Sequence, residues 1–285
     1  MASPLILAST GMLFFLALIS CQSGDKNQPS PVQPKALPLL NPDPRSESAE
    51  AFLQASESKW EALLKSDDAS ILEKARAALV TGKFPEASAK AVEALRKNRR
   101  SPEALLILAE AQLRLQNLDY TDAVLQAKPL KVKSSQSENI RGIAAFLQRD
   151  FEKSRRAFQS AMDLDSQSFA PAFNLALLAL ACRRFSHAQD ILDGLTKKAP
   201  NNPDLLVHQG VTTGLLNKPS SAEPFLEKAI ELNSKNALAH YNLAIVHQKQ
   251  GDKAKFKKSM ELYANQAKSR RFPSPRKEAE NVIGH

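Results

Sequence analysis

The chain has little of what rigid or reactive sites are usually built from. Its 285 residues include two cysteines, one tryptophan, three tyrosines and nine glycines. Two cysteines cannot supply a disulfide framework, and Cys182 reads as a small half-buried residue rather than a nucleophile. No Gly-rich phosphate loop, nucleophile elbow or metalloprotease helix occurs. Strand-favouring blocks of Val, Ile and Thr are missing as well. Evenly spread charge is also lacking. The formal net charge is +9, yet residues 249–277 alone hold ten Lys or Arg against two acids. The remainder is close to neutral, so the basic character describes one C-terminal segment and not a nucleic-acid-binding fold. What the chain does have is Ala and Leu, crowded in its middle, and that mix favours helices.

The start is different. Leu5 to Ser20 is apolar, broken only at Ser9-Thr10-Gly11, and runs into Cys21. Sixteen helical residues rise ~24 Å, short of a ~30 Å hydrocarbon core. The length therefore fits the apolar stretch of a signal peptide, with an uncleaved signal anchor as the alternative. The residues before Leu5 carry no Lys or Arg, where a signal peptide normally has one. Leu18-Ile19-Ser20-Cys21 resembles the lipobox of bacterial lipoproteins. That resemblance implies a diacylglycerol on the Cys21 sulfur and cleavage before it, and Gln22, not being Asp, implies the outer membrane. Prolines at 29, 31, 34, 38, 42 and 44 then exclude a helix or a central strand. Such a segment acts as an extended tether able to reach ~70 Å at ~3.1 Å per residue.

Beyond the tether the chain repeats itself. The stretches at 82–95, 149–162, 183–196 and 217–230 align without gaps, the last three at a spacing of 34. This frame gives six units, at 68–101, 102–134, 135–168, 169–202, 203–236 and 237–270. Position eight reads Ala75, Ala109, Gly142, Ala176, Gly210, Ala244. Position twenty reads Ala87, Thr121, Ser154, Ala188, Ala222, Phe256, and position twenty-four Ala91, Leu125, Phe158, Leu192, Leu226, Met260. Small residues recur where antiparallel helices cross closely, and larger ones fill the space beside them. Gly82 and Gly251 sit where a helix must end left-handed, and Pro224 is expected in the first turn of its helix. Pro129 is expected to cut the second helix of unit two short, with 128–139 as loop.

Period and pattern together resemble the tetratricopeptide repeat, a helix–turn–helix of 34 residues. The implied fold is all-α: a right-handed superhelical solenoid of about six such repeats with an N-terminal cap helix. The expected domains are a signal peptide at 1–20, lipidated Cys21 and tether at 21–45, cap helix at 46–67, solenoid at 68–270 and basic tail at 271–285. The family's Trp at position four is nowhere present.

In that family, positions two, five, six, nine, twelve and thirteen face a concave groove. In units three and four this implies a lining of Asn139, Ile143 and Phe146, then Phe173, Asn174 and Leu177. In units five and six it implies Val207, His208, Val211 and Thr212, then Tyr241, Asn242 and Ile245. Amides among apolar side chains suit a peptide, and the competing reading is that the apolar ones simply pack. The Lys and Asn clamp of chaperone-docking members is absent from positions five and nine. His240 and His247, seven apart with His208 one repeat earlier, lack an accompanying carboxylate and read as packing residues rather than zinc ligands. Lys253, Lys257, Lys258, Arg270 and Arg271 form a basic surface, with Phe256, Met260 and Tyr263 expected among the lysines.

The reading is a non-enzymatic, lipid-anchored adaptor without a cofactor. It would bind a protein or peptide partner in the bacterial cell envelope, at the outer membrane facing the periplasm, and no nucleic acid. Repeat number and anchor resemble the type IV pilus secretin assembly factors, the pilotins. A second reading docks peptidoglycan-remodelling enzymes, and a third is an enzyme or cofactor binder with a composite site.

Overall fold

The computed structural model describes residues 60–131 and 133–267. Signal peptide, Cys21, tether, residues 46–59 and the C-terminal tail, with Arg270 and Arg271, lie outside the described residues. Among those described there is no strand, and no helix is long and apolar enough to cross a membrane.

Residues 60–65 are helical. Twelve α-helices follow. They are α1 (Ile71–Val80), α2 (Phe84–Lys97), α3 (Pro102–Arg114), α4 (Leu118–Leu125), α5 (Ser135–Leu147) and α6 (Phe151–Leu164). The remainder are α7 (Phe169–Ala181), α8 (Phe185–Lys198), α9 (Pro203–Leu215), α10 (Pro219–Leu232), α11 (Ala237–Gln250) and α12 (Lys253–Ala267). A 3-10 turn at Lys128–Lys131 separates α4 from α5. Each repeat unit of the sequence thus holds one helix pair. The described residues form two compact units, 60–178 and 179–267, whose boundary falls inside α7.

Local chemistry starts and stops the helices. The last residue of one repeat caps the first helix of the next: Ser101 accepts from the Ala104 amide at 3.2 Å, Asn202 from Leu205 at 3.0 Å and Asn236 from Ala239 at 3.1 Å. These caps satisfy amides that have no partner inside the helix. At the other end, position fifteen of all six units is left-handed. It holds Gly82 (φ 75°), Gln116 (63°), Arg149 (65°), Arg183 (60°), Asn217 (60°) and Gly251 (80°). The reversal is thus a property of the repeat, and only the two outermost units use glycine for it.

The small-residue frame is the packing frame. Ala75, Ala109, Ala176 and Ala244 at position eight are fully buried, as are Ala87, Thr121, Ser154, Ala188 and Ala222 at position twenty. Position twenty-four is no more than 2% exposed in any unit. Two glycines show why position eight stays small. A methyl on Gly142 would meet the Phe158 ring at 2.4 Å, and one on Gly210 would meet Leu226 Cγ at 2.6 Å. Phe158 and Leu226 are the position-twenty-four residues of the same units, so eight and twenty-four are contact partners. Ser154 at position twenty also donates to the Gly142 carbonyl at 2.8 Å.

Three expectations are corrected. The segment 128–139 is not all loop. Its 3-10 turn places Leu130 in the core at 2% exposure, where the missing end of α4 would have packed, and Ser134 starts α5 through a reciprocal cap with Ser137. The shortened α4 leaves carbonyls open, and Arg141 Nη2 donates to that of Leu125 at 2.6 Å. Pro224 is not in a first turn. Pro219 opens α10, so Pro224 lies one turn deeper, where its missing N–H falls opposite exposed Ser220. Finally, Met260 and Tyr263 do not stand among the lysines: they are 2% and 3% exposed and join Ala237, Tyr241 and Ala244 in a core cluster.

Candidate functional site

The first helices of successive repeats offer the face on which the sequence places a groove. The two compact units carry different chemistry on it.

In residues 60–178 the face is polar and largely self-paired. Asn174 Nδ2 donates to Asn139 Oδ1 at 2.8 Å, joining α7 to α5. Asn139 and Ile143 are half-exposed, and Ile143 packs on the edge of the core. Phe146, Phe173 and Leu177 are buried. The ring of Phe146 lies 5.7 Å from that of Phe151, and Phe173 stacks on Phe169 at 5.5 Å. Their aromatic surface is spent on neighbouring rings. Sequence reasoning missed the charged residues of this face. Arg76 pairs with Glu103, and Arg114 with Glu110 at 3.5 Å; the Arg114 guanidinium also lies 6.0 Å from the Phe84 ring centroid. The same frame would have found them, since Glu103 holds position two, Arg76 and Glu110 position nine, and Arg114 position thirteen.

In residues 179–267 most expected lining residues are interior. Val207 is fully buried and Val211 nearly so, both in the core formed by α9, α10 and α11. Tyr241 packs at 5.3 Å against the Tyr263 ring. His208 is 5% exposed, its Nδ1 3.0 Å from the Asp204 carbonyl. Burial pushes its pKa down to about 4, against that bond, so the ring is neutral and donates through Nδ1. Thr212 is buried and donates to the His208 carbonyl at 2.7 Å. Asn242 and Ile245 are half-exposed, and Asn242 Nδ2 donates to the Leu238 carbonyl at 2.8 Å. Their first-helix positions point some side chains at the face and others into the adjoining second helix, and the large apolar ones take the second course.

A polar node lies in the same unit. Glu223 of α10 accepts from Gln250 at 2.9 Å and Lys255 at 3.2 Å, and meets His247 Nε2 at 3.2 Å. The other His247 nitrogen is 3.1 Å from Ser259 Oγ. The Gln250 bond first, then those from Lys255 and His247, hold the Glu223 carboxyl down at about 2 despite its burial. His247 therefore does have a carboxylate companion, contrary to the sequence reading. Residues 24 apart in sequence meet because α10 and α11 are antiparallel neighbours. His240 is also buried, with Nε2 2.9 Å from the Ser234 carbonyl. Among the described residues no group of three or more His, Cys, Asp or Glu stands close enough to hold a metal. Cys182 is half-buried. Lys253, Lys257 and Lys258 are exposed on α12.

This repeating crossing, small at eight and apolar at twenty-four, decides the fold. It is that of tetratricopeptide-repeat proteins. Two family models match, one described as a tetratricopeptide repeat over residues 72–126 and one as a TPR repeat over 226–251. No curated protein matches the chain in sequence. Among solved structures, a tetratricopeptide repeat protein from Parabacteroides merdae is similar over 82% of this chain and 93% of its own, with TM-score 0.56 at 14% identity. PilF of Pseudomonas aeruginosa is similar over 65% and 90%, with TM-score 0.53 at 15% identity. YrrB, a TPR protein with an unusual peptide-binding site, is similar over 68% and 100%, with TM-score 0.52 at 12% identity. These likenesses establish the fold. Repeats of this kind imply protein or peptide partners, which makes a binding scaffold the general reading.

Proposed function

We propose that the protein is a non-enzymatic adaptor that holds an extended segment of a partner on its first-helix faces. The observation that carries this is the pair of half-exposed sites, Asn139 with Ile143 and Asn242 with Ile245. Each sets an amide one helical turn from a branched apolar side chain. An amide can bond a peptide backbone while the apolar neighbour takes a side chain. The charged pairs of α1 and α3 add ends that an incoming carboxylate or ammonium can exchange with.

The place of action is the bacterial envelope, and what supports it is the apolar stretch ending in Leu18-Ile19-Ser20-Cys21, with an outer-membrane address suggested by Gln22. Within that setting the favoured partner is a type IV pilus secretin, since the number of repeats and the lipid anchor resemble the secretin assembly factors. The alternative partner is a peptidoglycan-remodelling enzyme.

Affinity capture with the full acylated protein separates the two. Recovery of a secretin supports the first, recovery of a wall hydrolase the second, and recovery of neither removes both. For the face itself, Asn139→Ala with Ile143→Ala should weaken partner binding about tenfold or more and leave Tm within a few degrees. Unchanged binding there and in the Asn242→Ala, Ile245→Ala variant would sink the groove. Phe173 is unsuitable for this test, because its ring is core.

A further inference from the structure

Most helices here obey the electrostatics of their own backbone. The N-terminal end of a helix carries partial positive charge, so acids belong in the first turn and bases in the last. Glu73, Glu86, Glu103, Asp119, Glu138, Glu152 and Asp204 open their helices, and Arg96, Lys97, Lys197 and Lys198 close theirs. Helix α12 does the opposite. No acid lies in its first turn, and Lys253, Lys255, Lys257 and Lys258 fill its first six residues. Asp252 caps it through the Lys255 amide, and Lys255 reaches Glu223. Among the described residues Lys253, Lys257 and Lys258 have no ion-pair partner and are exposed. Against Asp252 at the cap and exposed Glu261 one turn on, three lysines without an ion-pair partner among the described residues still leave the start of this helix with an excess of positive charge, which does little for its stability.

From this we infer that the exposed face of α12 is a docking surface for anionic phospholipid headgroups. The residue type favours a membrane over an acidic peptide. Arginine, whose planar fork recognises discrete carboxylates, makes intramolecular pairs at Arg76, Arg114, Arg141 and Arg155, and lysine makes them at Lys90, Lys133 and Lys255. The unpaired charges of α12 are all lysine, a hydrated point charge suited to a diffuse field. They are exposed within the first six residues of one helix. Leu262, at 39% exposure, follows Lys258 by one turn, placing an apolar side chain beside the charges as in helices that lie on a bilayer surface. The surface is independent of the Cys21 anchor.

The test uses the chain from Gln22 onward, without the apolar stretch and Cys21, and vesicles of phosphatidylcholine with or without about one-third phosphatidylglycerol. Binding should require the anionic lipid and fade at about 0.5 M salt, where screening is short-ranged. Each lysine near such a surface is worth about fivefold in partitioning. Lys253→Gln, Lys257→Gln and Lys258→Gln together should cut it about 100-fold by the same reckoning, with Tm unchanged or slightly raised. Removing the basic charges at Arg96, Lys97 and Arg99 is the matched control and should change binding less than about threefold. Equal losses in both variants would reduce the effect to net charge and overturn the inference. So would equal binding to neutral vesicles, a marked fall in Tm, or capture by polyglutamate with no binding to vesicles.

Discussion

Helices α3 and α9 occupy the same station, each the first helix of its repeat, in units two and five. Both begin with Pro after a capping side chain. The interior of α3 is Leu105, Ile107, Leu108, Ala109, Ala111 and Leu113, with one buried amide, Gln112. That amide is bonded at both ends, donating to Ser88 Oγ at 2.7 Å and accepting from Asn117 at 2.7 Å. Helix α9 matches Leu105 with buried Leu206, but its other matching positions hold His208, Gln209, Gly210, Thr212, Thr213 and Gly214, all buried. Thr212 and Thr213 turn back onto their own helix, to the His208 and Gln209 carbonyls. One architecture thus accepts oil in one place and a polar core in another. The difference teaches that the repeat fixes size at the crossings and leaves polarity open, provided hydrogen bonds close locally. Importing α3 residues into α9 tests that division.

The largest effect is expected at His208, whose counterpart is Ile107. The folded protein keeps His208 neutral with a pKa of about 4, while an unfolded chain takes up a proton near 6.5. Stability attributable to this residue is present above pH 6.5, falls as pH drops, and levels off below about 4. The loss amounts to about 3 kcal/mol. Unfolding midpoints of His208→Ile measured across this range should lack that fall. Glu223 contributes a separate and lower window. Its lowered pKa gives stability present above the ordinary carboxylate value of 4.5 and lost as pH falls toward about 2. A fall between pH 6.5 and 4.5 that survives in His208→Ile would have to come from elsewhere.

Gly210→Ala comes next and should destabilise, although α3 carries Ala109 over an equivalent leucine, Leu125. The new methyl gains about 1 kcal/mol of helix propensity. It also meets Leu226 Cγ at 2.6 Å and the Ala222 carbonyl oxygen at 3.2 Å, so side chain and backbone must both give. Overpacking of this kind costs about 1–3 kcal/mol, for a net loss of up to about 2 kcal/mol. Adding Leu226→Ala recreates the Ala75 and Ala91 pairing of unit one. Chemical denaturation of the four species should give a favourable coupling, the double mutant being less damaged than the sum of the singles. Strict additivity would mean that eight and twenty-four are not partners.

Those positions were legible in the sequence because a close crossing constrains volume, and volume shows in a one-letter code. Groove membership was less so. Val207, Val211 and Tyr241 were assigned to a surface and lie in core. Repeat position gives the direction of a side chain from its helix, but burial depends on which neighbour comes to meet it. The Glu223–His247 contact was invisible for a related reason, since nothing local to either residue announces a partner on the adjacent helix. Left-handed position fifteen is legible at Gly82 and Gly251, and could have been read at Asn217, whereas Gln116, Arg149 and Arg183 do not advertise a positive φ.

Gln209 sharpens the polar side of the comparison. Its Nε2 donates to Asp193, but its Oε1 is buried without a hydrogen-bond partner. An unmet buried acceptor costs about 1–3 kcal/mol, whereas apolar filling of the same space is often neutral or better. Gln209→Leu, importing Leu108, should therefore be neutral or stabilise by about 1 kcal/mol, with Asp193 keeping its 2.9 Å bond from Gln189. A clear loss in thermal unfolding would show that the amide organises α8 against α9.

The smallest effect separates the turns that follow the two helices. Gln116 after α3 and Asn217 after α9 share a left-handed backbone, at φ 63° and 60°. Asparagine visits that region far more readily than glutamine, because its short side chain bonds locally. Gln116→Gly should relieve strain and raise stability by about 0.5–1 kcal/mol, after the added entropy of an unfolded glycine is set against it. Asn217→Gly should change stability by no more than a few tenths of a kcal/mol. Equal gains at both sites would mean that backbone strain alone matters there. A loss at Gln116 would instead mean that its side chain contributes more to the turn than its left-handed φ costs.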